Sequence, residues 1–331
     1  MVWIEFRTAL AALVRMENEK QPHLATGVYA ALPTPRRSGS IDADAAGLLD
    51  YLETIVRTGV DGLVLFGSTG EFIHYDVTER MRVVILAIRR SRVPVLVNAS
   101  HSTLSGALEL AENAIKAGAS GILLMPPYFY RYPDDQIFFF YEQFMKEIGG
   151  RTSVYLYNLP SFTNPLSFEI AERLLRTGGF AGIKDSSCNW SFFEELNNLQ
   201  KHVDFQLLMG CDELYLKARL AGAHGLVSGI AGAIPELLVA LQRALRNEAM
   251  EHARRLDARL HEFAGFVNKF PANVAIKQAA VARGWNLNQL AIPVDEDMSA
   301  DVIAFHQWLR GWLPIVLAEC GELANAKSSQ A

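Results

Sequence analysis

The chain has 331 residues, half of them hydrophobic, and a formal net charge of −5 with acids and bases interspersed. That is ample for a sizeable core, and the balance excludes the one-sided basic surface that nucleic-acid binding needs. No uninterrupted apolar run reaches the ~18 residues of a membrane span.

Residues 1–24 read as an N-terminal extension, a helix or a ragged end. Glu5 and Arg7 interrupt its apolar start and no small-residue cleavage site follows. Beyond it, Gly59-Val-Asp-Gly62, Gly118-Ala-Ser-Gly121, Gly179-Phe-Ala-Gly182 and Gly222-Ala-His-Gly225 repeat one pattern, each followed by apolar residues. The first glycine suits a helix C-terminus, where positive φ is wanted, and the second opens a strand. Joints of this kind imply parallel strands linked by helices.

Strands are expected near Gly27–Ala31, Gly62–Phe66, Pro94–Ala99, Gly121–Met125, Ser153–Tyr157, Ala181–Lys184, Phe205–Met209 and Gly225–Val227. Helical patterns alternate with them from Asp44 to Arg246. This is the count of a (β/α)8 TIM barrel over residues 25–246; no G-x-G-x-x-G follows any strand, which disfavours an open doubly wound sheet. Residues 247–331 keep helical periodicity with no strand signal and read as a C-terminal helical domain. Its last ten residues, rich in Ala, Ser, Lys and Gln, are expected to be disordered.

Cys188, Cys211 and Cys320 are odd in number and far apart, which predicts reduced thiols in a cytoplasmic protein. No two of the eight histidines lie two to four residues apart, so no local zinc-type signature is present, which leaves open ligands distant in sequence. The short basic clusters Arg36-Arg37 and Arg89-Arg90-Ser91-Arg92 are expected to be solvated turns and helix ends.

In such barrels chemistry sits at the C-terminal ends of the strands. After the second strand, Gly67-Ser68-Thr69-Gly70-Glu71 offers backbone N–H groups and two hydroxyls, a cradle for a carboxylate; an ordinary turn with a helix cap has the same look. The aromatic loop Pro126–Pro133 follows the fourth strand and suits a subunit or domain contact. Tyr157 closes the fifth, either as a proton shuttle or as a buried phenol with a satisfied hydroxyl.

Lys184 ends the sixth strand. Of nine lysines, Lys116, Lys146 and Lys201 fall in last helical turns. Lys217 and Lys277 fall in other helices, Lys269 in a loop, and Lys20 and Lys327 near the ends. Only Lys184 is expected in an apolar setting, where burial disfavours an ammonium ion and favours a nucleophile toward carbonyls. The plainer reading is a lysine reaching out to pair with Asp185. Taken together, cradle, phenol and lysine ask for a 2-keto acid whose iminium would let a carbon–carbon bond form or break.

The motifs Gly67-Ser-Thr-Gly-Glu71, Tyr157-Asn-Leu-Pro160 and Gly182-Ile-Lys-Asp185, in this order, resemble those of the dihydrodipicolinate synthase / N-acetylneuraminate lyase family of class I aldolases. The similarity covers roughly residues 25 to 290. It implies a pyruvate imine on Lys184, Tyr157 as acid/base, and Gly67, Ser68 and Thr69 around the pyruvate carboxylate, with Ser68 also in a proton relay. It further implies a backbone carbonyl near Val227 at the imine, no metal or organic cofactor, and a homotetramer or dimer.

Phe162 stands where the dihydrodipicolinate synthases carry an arginine for the aldehyde's carboxylate. Phe129 stands where they carry a tyrosine that reaches a neighbouring subunit, with Tyr130 adjacent. Both departures point toward aldolases of 2-keto-3-deoxy sugar acids and sialic acid lyases. The alternatives are dihydrodipicolinate synthase itself and a catalytically silent barrel that binds a keto acid. The expected partners are pyruvate and an aldehyde, with no nucleic acid or membrane.

Overall fold

A computed structural model of the protein describes residues 25–271, 273–287 and 289–328; the extension expected over residues 1–24 lies outside them. Eight parallel strands, β1 (Gly27–Ala31), β2 (Gly62–Leu65), β3 (Val95–Asn98), β4 (Gly121–Leu124), β5 (Val154–Asn158), β6 (Gly182–Asp185), β7 (Gln206–Met209) and β8 (Gly225–Ser228), close in chain order. Each residue of every strand is buried, as expected where helices cover one face and barrel filling the other. The joining helices are α1 (Ala45–Val56), α2 (Val77–Arg90), α3 (Leu104–Ala117), α4 (Asp134–Ile148), α5 (Phe168–Arg176), α6 (Trp190–Leu199), α7 (Tyr215–Ala221) and α8 (Pro235–Arg246). The fold is a (β/α)8 barrel.

The repeated glycine pairs have a steric cause. Gly62, Gly121, Gly182 and Gly225 open the even strands. A β-carbon on Gly62 would lie 2.2 Å from the Tyr29 ring. Side chains filling a barrel come in layers from alternate strands, and a glycine on one strand leaves room for a large residue on the next. The leading glycines end helices, as at Gly118 with φ 92°. At the third joint the left-handed position is held by Gly178 and not by Gly179, because α5 ends one residue earlier than the repeat suggests.

Three helices follow: α9 (Met250–Val267), α10 (Val274–Ala282) and α11 (Glu296–Ser328). Phe263 and Phe266 of α9 stack on Trp308 of α11, and Arg259 pairs with Glu319, so the two long helices are held by an aromatic seam and an ion pair. The tail expected to be disordered is helical as far as Ser328, a continuation of α11.

Two expectations about charge fail for one physical reason. Lys277, assigned to an unremarkable helix, is fully buried, and the Arg36 side chain, assigned to a solvated turn, is 7% exposed. Both meet Glu71, a carboxylate at the barrel rim whose burial requires cations. Among the described residues no helix is long and apolar enough to cross a membrane.

Candidate active site

Tyr157 and Lys184 are direct register partners on β5 and β6. Tyr155 and Gly182, one period of two below them, are partners as well, so all four side-chain positions share one face. Tyr157 is 2% and Lys184 4% exposed, and the Lys184 Nζ sits 3.9 Å from the centre of the Tyr157 ring. The aromatic face offers the ammonium partial compensation for lost water.

Lys184 does not turn to its chain neighbour. The Asp185 carboxylate accepts instead from Asn158 Nδ2 at 2.9 Å, Ser187 N at 3.1 Å and Ser187 Oγ at 2.9 Å. Burial raises the Asp185 pKa, and these three donors oppose the shift. Being on the opposite parity, Asp185 fixes the β5 and β6 loops from behind and leaves Lys184 to the cavity.

That cavity, of about 250 Å³, is lined by Ser68, Thr69, Tyr157, Lys184 and Val227, five of the residues singled out from the sequence. Gly67, Phe162 and Tyr130, also singled out, are not among its lining residues. Phe162 and Tyr130 are 68% and 66% exposed. Thr163 and Asn164, which follow Phe162 in the chain, are buried and donate to backbone carbonyls: Thr163 Oγ1 to Leu159 and Asn164 Nδ2 to Pro127 and Tyr130. Arg131 donates to the Thr163 carbonyl. Ser186, just past β6, also lines the cavity.

Gly210 makes the lysine's path. A β-carbon there would lie 2.0 Å from Ser186 Oγ and 3.0 Å from Lys184 Cε. Beyond it, Cys211 is joined to Cys188 by a disulfide with Cα atoms 5.4 Å apart. The reading of unpaired thiols is therefore corrected, and with it goes the redox argument for a cytoplasmic location. The cysteines are 23 positions apart in the chain, yet each lies within three residues of the end of its strand, and β6 and β7 are neighbours. That adjacency was readable once the strands were assigned.

Asp212 and Glu213 also line the cavity. Burial pushes the Asp212 carboxyl up to about 6, although the Ser228 hydroxyl, the nearby Lys184 charge and the Ile230 N–H all favour its ionised form. Asn268 Nδ2 donates to Glu213 Oε1 at 3.3 Å. The outer wall comes from the C-terminal helices and the turn between them: Ala264, Val267, Asn268, Asn273 and Ile276. The segment read from sequence as an appendage is part of the site. Among the described residues no three His, Cys, Asp or Glu side chains group as metal ligands.

A buried lysine, a phenol and a hydroxyl-bearing turn thus share one cavity at the strand ends of a (β/α)8 barrel. Residues 24–304 match the Dihydrodipicolinate synthetase family. The chain is 31% identical over 265 residues to a 4-hydroxy-tetrahydrodipicolinate synthase of Methanothrix thermoacetophila, covering 78% of this chain and 88% of that one. YagE, a prophage protein of the dihydrodipicolinic acid synthase family from E. coli K12 solved in complex with pyruvate, superposes with a TM-score of 0.80. It is 25% identical, and the match covers 88% of this chain and 99% of that one. A Ruminococcus gnavus sialic acid aldolase, 22% identical, shares the fold with a TM-score of 0.79 over 89% of this chain and all of its own. The chain belongs to the dihydrodipicolinate synthetase family and is a lyase of the aldolase kind.

Proposed function

We propose that the protein is a pyruvate-dependent Schiff-base aldolase that reversibly cleaves a 2-keto-3-deoxy sugar acid to pyruvate and a hydroxyaldehyde. The observation that carries the chemistry is the register pair Tyr157–Lys184 opening into the same cavity as Ser68 and Thr69. The Lys184 amine adds to the C2 ketone and water leaves. The iminium accepts the electron pair of the C3–C4 bond as the C4 hydroxyl gives up its proton, releasing the aldehyde. Tyr157 is the acid/base for these proton transfers. The enamine takes a proton at C3, and hydrolysis returns the lysine and pyruvate. The Ser68 and Thr69 hydroxyls hold the carboxylate and so fix C2 against the lysine.

The substrate class rests on charge. Among the described residues Lys184 is the only basic side chain lining the cavity, whereas Asp212 and Glu213 are two acids. Once Lys184 is committed to C2 and the cradle to the first carboxylate, a second carboxylate would meet no cation and two acids. Hydroxyl groups of an uncharged aldehyde can donate to those acids. The second reading, condensation of pyruvate with aspartate semialdehyde, draws on the name of the 31% identical relative.

The test has two arms. Pyruvate with borohydride should leave a reduced adduct on the Lys184 peptide, absent in Lys184→Arg; an adduct elsewhere, or none, ends the mechanism. Both reactions should then be assayed on one preparation. Preference by kcat/KM for aspartate semialdehyde over 2-keto-3-deoxy sugar acids would replace the substrate class by the second reading.

A further inference from the structure

The turn that would hold the substrate carboxylate is pinned from outside the barrel. Its Gly70 carbonyl accepts from Thr34 Oγ1 at 2.8 Å. Its Phe66 carbonyl accepts from Asn98 Nδ2 at 2.7 Å, and two further anchors come from the C-terminal segment. Asn273, at the start of α10, donates Nδ2 to the Ser68 carbonyl at 3.0 Å, beside the Glu71 N–H that reaches the same oxygen. One turn on, the fully buried Lys277 donates Nζ to Glu71 Oε2 at 2.5 Å and to the Gln289 carbonyl at 3.3 Å.

The turn needs such anchors. Phe66 and Glu71, at its two ends, both hold positive φ, 54° and 53°, without being glycine. Conformations of that kind persist where surrounding contacts over-determine them. The charge has a separate logic. Glu71 is a buried carboxylate two and three residues from the Thr69 and Ser68 hydroxyls that are to receive another carboxylate. Left unpaired it would repel the incoming anion. Lys277 in contact and Arg36 at 3.8 Å surround it with positive charge, and the Arg36 guanidinium also lies over the Tyr75 ring. His74, a further titratable neighbour, has its pKa lowered by burial, which favours its neutral form.

We propose that Asn273 and Lys277 of the C-terminal segment are positioning residues for the substrate carboxylate, Asn273 by fixing the Ser68 backbone and Lys277 by neutralising and anchoring Glu71 beneath the cradle. Neither has to touch the reacting carbon. A cradle already in place loses no freedom on binding, and a neutralised Glu71 leaves the hydroxyl donors to act on the anion alone. This rests on the reading of Ser68 and Thr69 as the carboxylate site.

The signature is a loss in affinity for the keto acid with the chemical step retained. In Lys277→Met, the pyruvate concentration giving half-maximal borohydride adduct on Lys184 should rise at least tenfold, with the same plateau. In Asn273→Ala it should rise about three- to tenfold. The decisive variant is Lys277→Met combined with Glu71→Gln, in which the stranded charge is gone. It should return to within about threefold of the parent, which general loosening of the fold would not produce. Unchanged half-saturation in folded Lys277→Met and Asn273→Ala overturns the proposal, as does a double variant no better than Lys277→Met. Should Lys277→Met fail to fold, Asn273→Ala, on a partly exposed residue, decides alone.

The rise in melting temperature caused by pyruvate is measured in parallel and reads keto-acid binding whether or not an imine forms. A parent that shows the rise but no adduct overturns the Schiff-base mechanism. The variants' melting-temperature response then still decides the positioning role.

Discussion

Asp212 places a carboxyl with a pKa raised to about 6 in the cavity that holds Lys184, and the sign of its effect on stability follows from burial. Its folded pKa lies above the ordinary 3.8, so the native state holds the proton more tightly than the unfolded chain. Its contribution is most favourable below pH ~4 and is lost as pH rises through about 6, a cost on the order of 3 kcal/mol at pH 8. Asp212→Asn should therefore raise stability in urea melts at pH 8, the gain shrinking toward zero near pH 4, while lowering turnover. A gain independent of pH would assign the effect to packing. Tyr157 gives the converse case. Tyr157→Phe keeps the buried ring and so costs little stability, but removes an acid/base worth on the order of 10²–10⁴-fold in rate; turnover within about twofold of the parent would reduce the phenol to a packing group.

At the scale of elements, the disulfide joins the loops after β6 and β7 across 23 positions and forms part of the cavity wall. In the chain-entropy picture such a closure is worth about 3 kcal/mol. Urea melts with and without a dithiol reductant should differ by about that much; superimposable curves would mean that the thiols are not joined. Strand and helix placement was legible in the sequence because glycine joints and apolar runs are local signals. Lys184, Tyr157, Ser68 and Thr69 were legible because each stands at or just past a strand end, where the barrel collects its chemistry. Asp212 obeys the same rule after β7 and was reachable by it. Asn273 and Lys277 were not, since nothing near them in the chain marks a helix that returns over 200 positions to the second strand's loop. Phe162 lies close to β5 in sequence, but its side chain is turned to the surface of this chain and does not line the cavity.

For the whole molecule, the β4 and β5 loops matter outward as well as inward. Arg131 and Asn164 tie them together and leave Phe129, Tyr130 and Phe162 largely exposed. A second copy of this chain is the occupant expected there. Sedimentation should show a dimer or larger, and Phe129→Asp with Phe162→Asp should shift it to monomer; a monomeric parent would end that expectation. The anchoring of the cradle by α10 has a consequence in time as well as in space. Ser68 and Asn273 are 205 positions apart. At a synthesis rate of ~5–20 residues per second, the ribosome makes the turn ~10–40 s before it makes the helix that pins it. All eight strands precede α10, so a nascent chain can complete its barrel and bury its lysine while the carboxylate site is still slack. On the proposed positioning, full affinity for the keto acid arrives only once α10 has been made and has docked on the turn.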